Sequence, residues 1–283
     1  MKTNRIVSQN HDSRGHRHAF TLLELLVVIG TLAVLAVLMV PALARTDDND
    51  TRMVCMNNLR QMGMAENMYL GDSRDQLPYP NWDSGSGVSA PQGWLYGMKA
   101  TDLPAGAPAG QIPNPCDVAF WKANPTSAWK SGAWFQYVQN TKAYLCPVDI
   151  ESKSYTTPTA TGGRSEKLSS YVMNGASVGF PSFPSFGTPC KITDIWSPAC
   201  YLLWEPDENA SNPGEYNDGA NYPTSSEGIG RLHSAYSGNM LCVGGNVQFV
   251  TVQAFKNQSV VGAGPGPGGK TLAWWDTVVA NGD

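Results

Sequence analysis

The feature that most constrains this chain is an apolar run at residues 20–44, which contains a single carboxylate, Glu24. The run is longer than the roughly 20 apolar residues that a helix needs to cross a bilayer. A carboxylate inside hydrocarbon costs about 2.5–3.5 kcal/mol on insertion scales. The sequence therefore predicts a transmembrane helix in which Glu24 either meets a neutralising partner or lies at the headgroup edge.

A basic leader precedes the apolar run. Residues 1–19 hold four basic residues and one acidic residue. By the positive-inside rule, the leader stays in the cytoplasm and the chain beyond the run lies outside. Removing the leader takes the net charge from −4 to −7, so nucleic acid is not an expected partner.

The junction RHAFTLLELLVVIG, residues 17–30, resembles the prepilin family, which includes type IV pilins and the pseudopilins of type II secretion systems. The resemblance implies that a prepilin peptidase cuts between Ala19 and Phe20 and methylates the new amino group of Phe20. It also implies that Glu24 pairs with the N-terminal amine of a neighbouring subunit in a filament. That family usually has glycine before the cut, where this chain has Ala19.

A second interpretation starts from the end of the run. Residues 41–44, PALA, have the small-x-small pattern of a signal-peptidase site. The mature chain would then begin at Arg45 and be a secreted carbohydrate-binding protein or hydrolase. Against it, the apolar stretch is about twice the usual core of a secretory signal, and Glu24 would serve no purpose there.

Cysteine and histidine usage limits the chemistry of the mature chain. His233 is its one histidine, which excludes a histidine-rich zinc site. No CxxC pair occurs, which disfavours thiol-redox catalysis and zinc ribbons. The thiols lie in a disulfide-permissive compartment, so we expect structural bridges or partly free buried thiols, in a pairing that sequence alone does not fix. The candidates are Cys55, Cys116, Cys146, Cys190, Cys200 and Cys242.

Beyond the apolar run, apolar residues recur at three- and four-residue spacing, which predicts an amphipathic helix. The helix is expected to end at Gly71, a plausible C-cap, with its apolar stripe facing the core. The stripe consists of Met53, Met56, Leu59, Met62, Ala65, Met68 and Tyr69.

Several short sequence motifs further along the chain resemble those of a large bacterial group of pilin-like proteins. They are CMNNLRQ at 55–61, LCPVD at 145–149, SYVMN at 170–174 and the segment from Ile195 to Glu205. That group also carries a C-terminal signature of histidine, nine residues and Asp-Gly.

In this chain the C-terminal signature is degenerate, because ten residues separate His233 from Gly244-Gly245 and Gly244 replaces the aspartate of the signature. Short strand-like runs at 239–243 and 246–250 flank the Gly-Gly pair and predict a hairpin. We expect His233 to be a hydrogen-bonded structural residue rather than a catalytic one.

Two irregular segments complete the chain. Residues 78–130 are rich in Pro, Gly and Trp, which predicts an elaborate surface loop, and residues 131–140 predict a short helix with Trp134, Phe135 and Val138 inward. The abundant aromatic residues also raise a sugar-binding platform as an alternative, although core packing accounts for most of them.

A second loop, at 205–223, gathers carboxylates that could bind calcium, as in the major pseudopilins that the resemblance brings in. The spacing matches no EF-hand, so a solvated acidic loop is the competing interpretation. The candidate calcium ligands are Asp207, Glu208, Glu215 and Asp218.

The sequence thus predicts an α+β, pilin-like fold: a long N-terminal helix, transmembrane and then amphipathic, packed on an antiparallel β-sheet with long loop insertions. The expected parts are a leader at 1–19, a transmembrane half-helix at 20–44, an amphipathic half at 45–71 and an extracytoplasmic domain at 72–283. The expected function is structural rather than enzymatic, with no cofactor beyond the candidate calcium.

The expected location is the inner membrane, with one pass and an extracytoplasmic C-terminal domain, and then a filament after assembly. The expected partners are other pilin or pseudopilin subunits, the prepilin peptidase, the inner-membrane assembly platform and membrane lipid.

Overall fold

A computed structural model describes residues 21–82, 92–98, 100–102, 118–178, 189–207, 218–224, 227–260 and 264–275, and for 36–49 only the backbone. The chain divides into two compact units, Met1–Asp47 and Asp48–Asp283. The second unit therefore begins close to the predicted boundary between the two halves of the N-terminal helix.

Helices and strands follow one another as an α+β succession. The α-helices are α1 (Leu22–Ser73), α2 (Val118–Ala123), α3 (Pro125–Ser131), α4 (Phe135–Val138), α5 (Pro147–Ile150), α6 (Lys153–Thr156) and α7 (Val252–Gln258). The strands are β1 (Val172–Asn174), β2 (Tyr201–Trp204), β3 (Ala220–Asn221), β4 (Ser237–Cys242) and β5 (Val247–Thr251). Short 3-10 turns lie at Ala100–Asp102, Thr141–Tyr144, Thr159–Thr161, Gly175–Val178, Ile192–Asp194 and Pro267–Gly269.

Helix α1 extends over Leu22–Ser73 and includes Pro41, whereas the pilin-like, transmembrane character of the expected N-terminal helix stays a prediction. Its C-terminal end differs from the prediction, because the helix continues past Gly71 to Ser73. The turn that ends it is made by Arg74 and Asp75, whose φ angles are 60° and 66°, and the Asp75 N–H donates to the Leu70 carbonyl at 3.0 Å. Two non-glycine residues thus take the left-handed conformation that a C-terminal glycine usually supplies.

The buried face of α1 in the second unit is centred differently from the predicted stripe. Leu59, Met62 and Ala65 are buried as expected, but Met53 and Met68 are 48% and 57% exposed. At 100° per residue, those two methionines lie on the far side of the helix. The face instead runs through Cys55, Asn58, Leu59, Met62, Ala65, Glu66 and Leu70.

The five strands form one mixed sheet in the order β3-β1-β2-β4-β5. Antiparallel pairing joins β1 to β2, β2 to β4 and β4 to β5, while β1 and β3 pair in parallel. The predicted antiparallel sheet is therefore correct except at this edge. The chain reverses direction twice between β1 and β3, once before β2 and once after it. Strand β3 therefore runs in the same direction as β1, with which it pairs.

Both faces of the central strands are covered, which explains why β2 and β4 are buried at every residue. On one face, Leu203 and Leu241 share a core with Leu59 and Met62 of α1. On the other face, Trp204 packs with Phe255 of α7, their ring centroids 5.4 Å apart. That second core also contains Val172, Tyr201, Met240, Val250 and Trp274.

The predicted Gly-Gly hairpin is confirmed. Strands β4 and β5 pair from Ser237–Thr251 to Leu241–Val247, and Gly245 takes a φ of 79°. A close approach brings α1 onto this hairpin: a Cβ at Gly63 would lie 2.9 Å from Leu241 Cδ1 and 3.5 Å from the Gly245 carbonyl oxygen. Gly63 therefore lets the helix and the hairpin meet closely.

The predicted surface loop at 78–130 is wrong for much of its length. Residues 93–98 are buried, and α2 and α3 follow at 118–131. Tryptophan causes the difference, because Trp94 and Trp121 are fully buried, and Trp94 lies 5.2 Å from Trp134 between ring centroids. Helix α4 confirms only part of the predicted 131–140 helix, with Trp134 buried and Phe135 and Val138 partly buried.

In the first unit, every large apolar side chain described between residues 22 and 35 is exposed, from 80% at Leu22 down to 46% at Val28. Over the residues described, no helix meets the combined length and apolarity needed to cross a bilayer. The membrane span at 20–44 accordingly stays a prediction.

Candidate functional site

The N-terminus of α1 is closed by a capping box, the reciprocal pairing of an N-cap hydroxyl with an acidic side chain three residues later. Glu24 Oε2 accepts from both the backbone N–H and the hydroxyl of Thr21, each at 2.9 Å. The Glu24 N–H in turn donates to Thr21 Oγ1 at 3.2 Å. Glu24 thus has partners within its own chain, which the sequence analysis overlooked although Thr21-x-x-Glu24 is the signature of this motif.

The predicted processing site, Ala19 and Phe20, lies outside the described residues, and the predicted pairing of Glu24 with a second subunit stays a prediction. The structure adds that Glu24 is exposed, so its carboxylate is accessible to another chain. An incoming amine would compete with the two donors of Thr21.

A second arrangement lies deep in the Asp48–Asp283 unit. It brings together four potential metal ligands, one atom from each of Cys55, Cys146, Glu205 and His233. These four atoms all lie within 4.8 Å of one another. His233 Nε2 is 3.3 Å from Cys146 Sγ and 3.3 Å from Glu205 Oε1. Cys55, Cys146 and Glu205 are fully buried, and the His233 side chain is 1% exposed. We call these four residues the CCEH cluster.

Each member of the CCEH cluster comes from a different element. Cys55 lies on α1, Cys146 is the residue that precedes α5, and Glu205 directly follows β2. His233 lies in the loop before β4, where the Gly230 N–H donates to the Glu205 carbonyl at 2.6 Å. Long-range folding therefore assembles the cluster, and the backbone around Glu205 is tied to the loop that carries His233.

A chain of buried hydrogen bonds holds Cys146 in place. Ser170 Oγ accepts from the Cys146 N–H at 2.8 Å and donates to Asp149 Oδ2 at 2.5 Å. Arg164 clamps the same aspartate through both terminal nitrogens, at 2.8 and 2.6 Å. Bidentate pairs of this kind fix geometry as well as charge. The Asp149 carboxylate thus anchors the short segment that presents the thiol.

Asn58 and Tyr171 line the cluster beside the two thiols. The Asn58 amide donates to the Leu145 carbonyl at 3.0 Å and to the Tyr171 hydroxyl at 3.4 Å. Burial, followed by the Cys55 thiol and then Glu205, raises the pKa of Tyr171 well above its usual range. Tyr171 therefore stays a neutral phenol.

The electrostatics of the cluster are unusual for a protein interior. Neither carboxylate oxygen of Glu205 has a hydrogen bond of good geometry, although Oε1 forms an ion pair with His233. Burial lowers the pKa of His233, but the bonds to Cys146 and Glu205 outweigh it and raise that pKa to about 10. Burial is also the main cause that raises the pKa of the Cys146 thiol far above its usual range.

A buried carboxylate without hydrogen bonds normally destabilises a fold, because its lost hydration is not replaced. In the CCEH cluster the single compensation is the imidazolium. The arrangement offers two sulfur atoms, one nitrogen and one oxygen, all within 4.8 Å of one another. These four residues could therefore hold a metal ion, and all four are buried.

The other predicted metal site is only partly described. Glu208 and Glu215 lie outside the described residues. Asp207 Oδ2 forms an ion pair with Arg231 at 3.5 Å, and the buried Asp218 accepts from the Ala220 N–H at 2.9 Å. These two carboxylates are thus engaged with protein groups, and calcium binding by the loop stays a prediction.

The five cysteines in the described part of the chain are buried, and four of them show the second of the two expected states, free buried thiols. Cys55, Cys146, Cys200 and Cys242 are free buried thiols, and Cys116 lies outside the described residues. Cys55 and Cys146 lie close to each other, with His233 and Glu205 beside them.

Sequence reasoning identified the parts of the CCEH cluster but not the whole. His233 was expected to be a hydrogen-bonded structural residue, and its contacts agree. Glu205 was counted among the carboxylates of the 205–223 loop, but it was not connected with His233 or with the cysteines. The sequence did contain a clue to the cluster, because each of the four residues lies in one of the motifs that resemble the bacterial pilin-like group.

The tryptophans, all of which lie in the described part of the chain, are not exposed. Six of the nine are fully buried: Trp94, Trp121, Trp134, Trp204, Trp274 and Trp275. The interpretation that core packing accounts for most aromatics is confirmed for tryptophan.

The sequence model of one protein family, described as "Protein of unknown function (DUF1559)", matches residues 52–204, more than half of the chain. The matched region holds Cys55 and Cys146 and ends one residue before Glu205, whereas the prepilin-like junction lies outside it. No curated protein and no solved structure matches the chain.

Proposed function

The chain belongs to the DUF1559 family, and from this premise we propose that it is a structural subunit of a type II secretion pseudopilus or a type IV pilus-like filament. The observation that carries the proposal is the exposed apolar surface of α1 between residues 22 and 35. Water would not stabilise such a helix, so this surface needs lipid or other helices around it.

Glu24 supports assembly over simple anchoring. A purely anchoring helix gains nothing from a carboxylate near its start, whereas a subunit can use it to fix the register of its neighbour. In the isolated chain the capping box satisfies the carboxylate. We propose that in the filament the N-terminal amine of a neighbouring Phe20 takes over part of this role.

The life cycle follows from these assignments. The prepilin peptidase cuts between Ala19 and Phe20 and methylates Phe20, and the subunit waits as a single-pass inner-membrane protein with residues 72–283 outside. An assembly platform in that membrane then transfers it, exchanging lipid contacts for contacts with the helices of other subunits. Packing between helices can replace lipid contacts over the same apolar surface.

The first test is N-terminal mass analysis of the mature protein isolated from its own host. The proposal expects a chain that starts at an N-methylated Phe20 and sediments with membranes or filaments. A chain that starts at Arg45 and is soluble would instead support the secreted binding protein or hydrolase.

The second test separates pairing from capping. Replacing Glu24→Ala should leave the subunit in the membrane and remove it from the filament fraction. Thr21→Ala keeps the carboxylate but removes the capping hydroxyl, a loss of about 1 kcal/mol of helix stability, and should still assemble. Thr31→Ala, which removes a hydroxyl that donates to the Val28 carbonyl at 2.9 Å, is the matched control. Equal loss of assembly in the Glu24 and Thr21 variants would show that capping alone explains the need for Glu24.

A further inference from the structure

We propose that the CCEH cluster is a structural zinc site, in which Cys55, Cys146, Glu205 and His233 bind one Zn²⁺ as four protein ligands. This inference is independent of the filament proposal, because it rests on the interior of the Asp48–Asp283 unit.

The number and type of donors fit zinc. Structural zinc sites are tetrahedral, have four protein ligands and use cysteine sulfur, histidine nitrogen and carboxylate oxygen. The cluster offers two sulfurs, one ring nitrogen and one carboxylate. Thiolates favour zinc over magnesium or calcium, which prefer oxygen donors.

The spacing fits as well. Donors placed about 2.0–2.3 Å from a tetrahedral zinc ion lie about 3.3–3.8 Å from one another. The distances of 3.3 Å from His233 Nε2 to Cys146 Sγ and to Glu205 Oε1 have this length. The most distant pair, at no more than 4.8 Å, needs only a small side-chain rotation to close around the ion.

The buried carboxylate of Glu205 supplies an independent argument. It is fully buried, neither of its oxygens has a hydrogen bond of good geometry, and its one charged neighbour in the cluster is the His233 ring at 3.3 Å; proteins ordinarily avoid so poorly compensated a carboxylate. A cation at the centre of the cluster supplies the missing compensation. The polar surroundings also suit a metal site, since Asn58 and the hydrogen-bonded Cys146 segment hold the first ligands in place.

Binding is a ligand exchange without redox change. Zn²⁺ bonds to two thiolates, one carboxylate and one neutral imidazole, while two thiol protons and one imidazolium proton pass to solvent. The formal charge of the cluster changes from zero to −1. All four coordination positions come from protein, so the ion is expected to stabilise the fold and to activate no water.

The test measures metal in the full chain, purified in mild detergent without chelator after expression with zinc in the medium. The proposal expects about one zinc ion per chain, as a four-ligand structural site binds. Replacement by Co²⁺ should give the intense visible bands of a tetrahedral ion and a sulfur-to-cobalt charge-transfer band. Removing the metal should lower the thermal midpoint, and adding zinc back should restore it.

Variants then assign the metal to its ligands. Cys146→Ser and His233→Ala should each lose most of the bound zinc and abolish the cobalt bands. Cys242→Ser is the matched control, because Cys242 is also a free buried thiol, its sulfur accepts from Gln248 at 3.1 Å, and it lies outside the cluster. The Cys242 variant should keep both zinc and spectrum.

Two outcomes would overturn the proposal. One is a folded full chain that binds neither zinc nor cobalt while its Cys55 and Cys146 thiols react as free groups after denaturation. The other is a Cys55–Cys146 disulfide, seen as a loss of two hydrogens in the intact mass and as a linked peptide. Should the ligand variants fail to fold, the metal content and cobalt spectrum of the unaltered chain still decide.

Discussion

Replacing Glu66→Gln should stabilise the protein above neutral pH and remove part of its pH dependence. Glu66 lies on the buried face of α1, is 2% exposed and makes no hydrogen bond through either oxygen. Burial raises its pKa from 4.5 to about 8. The Trp134 indole N–H beside it lowers the pKa by a smaller amount, but its geometry falls short of a hydrogen bond.

The direction in which the free energy of unfolding changes with pH follows from proton binding. Between pH 4.5 and about 8 the folded chain keeps a proton on Glu66 that the unfolded chain has released, so the free energy of unfolding falls as pH rises. The slope is about 1.4 kcal/mol per pH unit, and a pKa moved from 4.5 to about 8 sets an upper limit of about 5 kcal/mol. Glutamine is neutral throughout and has the same size.

Urea unfolding of the full chain in mild detergent, followed by tryptophan fluorescence from acid to mildly alkaline pH, measures this effect. Below the unfolded-state pKa, the variant and the parent chain should agree to within about 1–2 kcal/mol. At mildly alkaline pH, the variant should be more stable by several kcal/mol. Burial also raises the pKa of Glu166 to about 8, and this adds the same pH dependence to the free energy of unfolding of both proteins. The difference between the variant and the parent chain therefore reports on Glu66 alone.

The exposed Glu151→Gln is the matched control, and its curve should follow that of the parent chain. The reasoning would be refuted if the difference between the Glu66 variant and the parent changed by less than about 1 kcal/mol across the same pH range.

Two further predictions concern packing and turns. Asp149→Ala should destabilise the protein by about 3–5 kcal/mol, because it leaves the buried Arg164 guanidinium without the carboxylate it clamps; urea unfolding measures this, and a loss below about 1 kcal/mol would contradict a structural role for the pair. Gly245→Ala should cost about 1–2 kcal/mol, since it forces a side chain into a φ of 79°, whereas Gly71→Ala, with open space in the helix, should gain about 0.5–1 kcal/mol. Thermal unfolding should move in opposite directions for the two glycine variants, and a shared direction would contradict this account.

Local patterns predicted the elements whose causes are local. The long helix α1 follows from its apolar run and periodicity, and the β4–β5 hairpin from its Gly-Gly pair. The mistakes on α1 have a physical origin in the sheet. Methionine is apolar at any position, but the sheet covers only one side of the helix, and the sequence does not reveal that this side is centred on Cys55 and Leu59.

The buried segment within residues 78–130 and the CCEH cluster depend on tertiary contacts, which local sequence patterns do not reveal. The Gly- and Pro-rich middle looked like a surface loop, yet its indole rings are buried and bring α2 and α3 into the core. The CCEH cluster is assembled across large sequence separations: His233 lies 87 positions after Cys146. No local sequence pattern indicates that Glu205 pairs with His233. Only the position of Glu205 in a motif that resembles the pilin-like group could have suggested a role for it.

The covered face of α1 has a consequence for biogenesis. Its nearest neighbour in the hairpin, Leu241, is synthesised about 180 residues after Gly63, so a nascent chain shorter than this leaves the helix face bare. Folds that depend on such distant contacts acquire their native order late and slowly. During that delay the apolar side chains on this face of α1 are open to chaperones and to other chains, and pairing of β4 with β5 is the step that covers the face around Gly63.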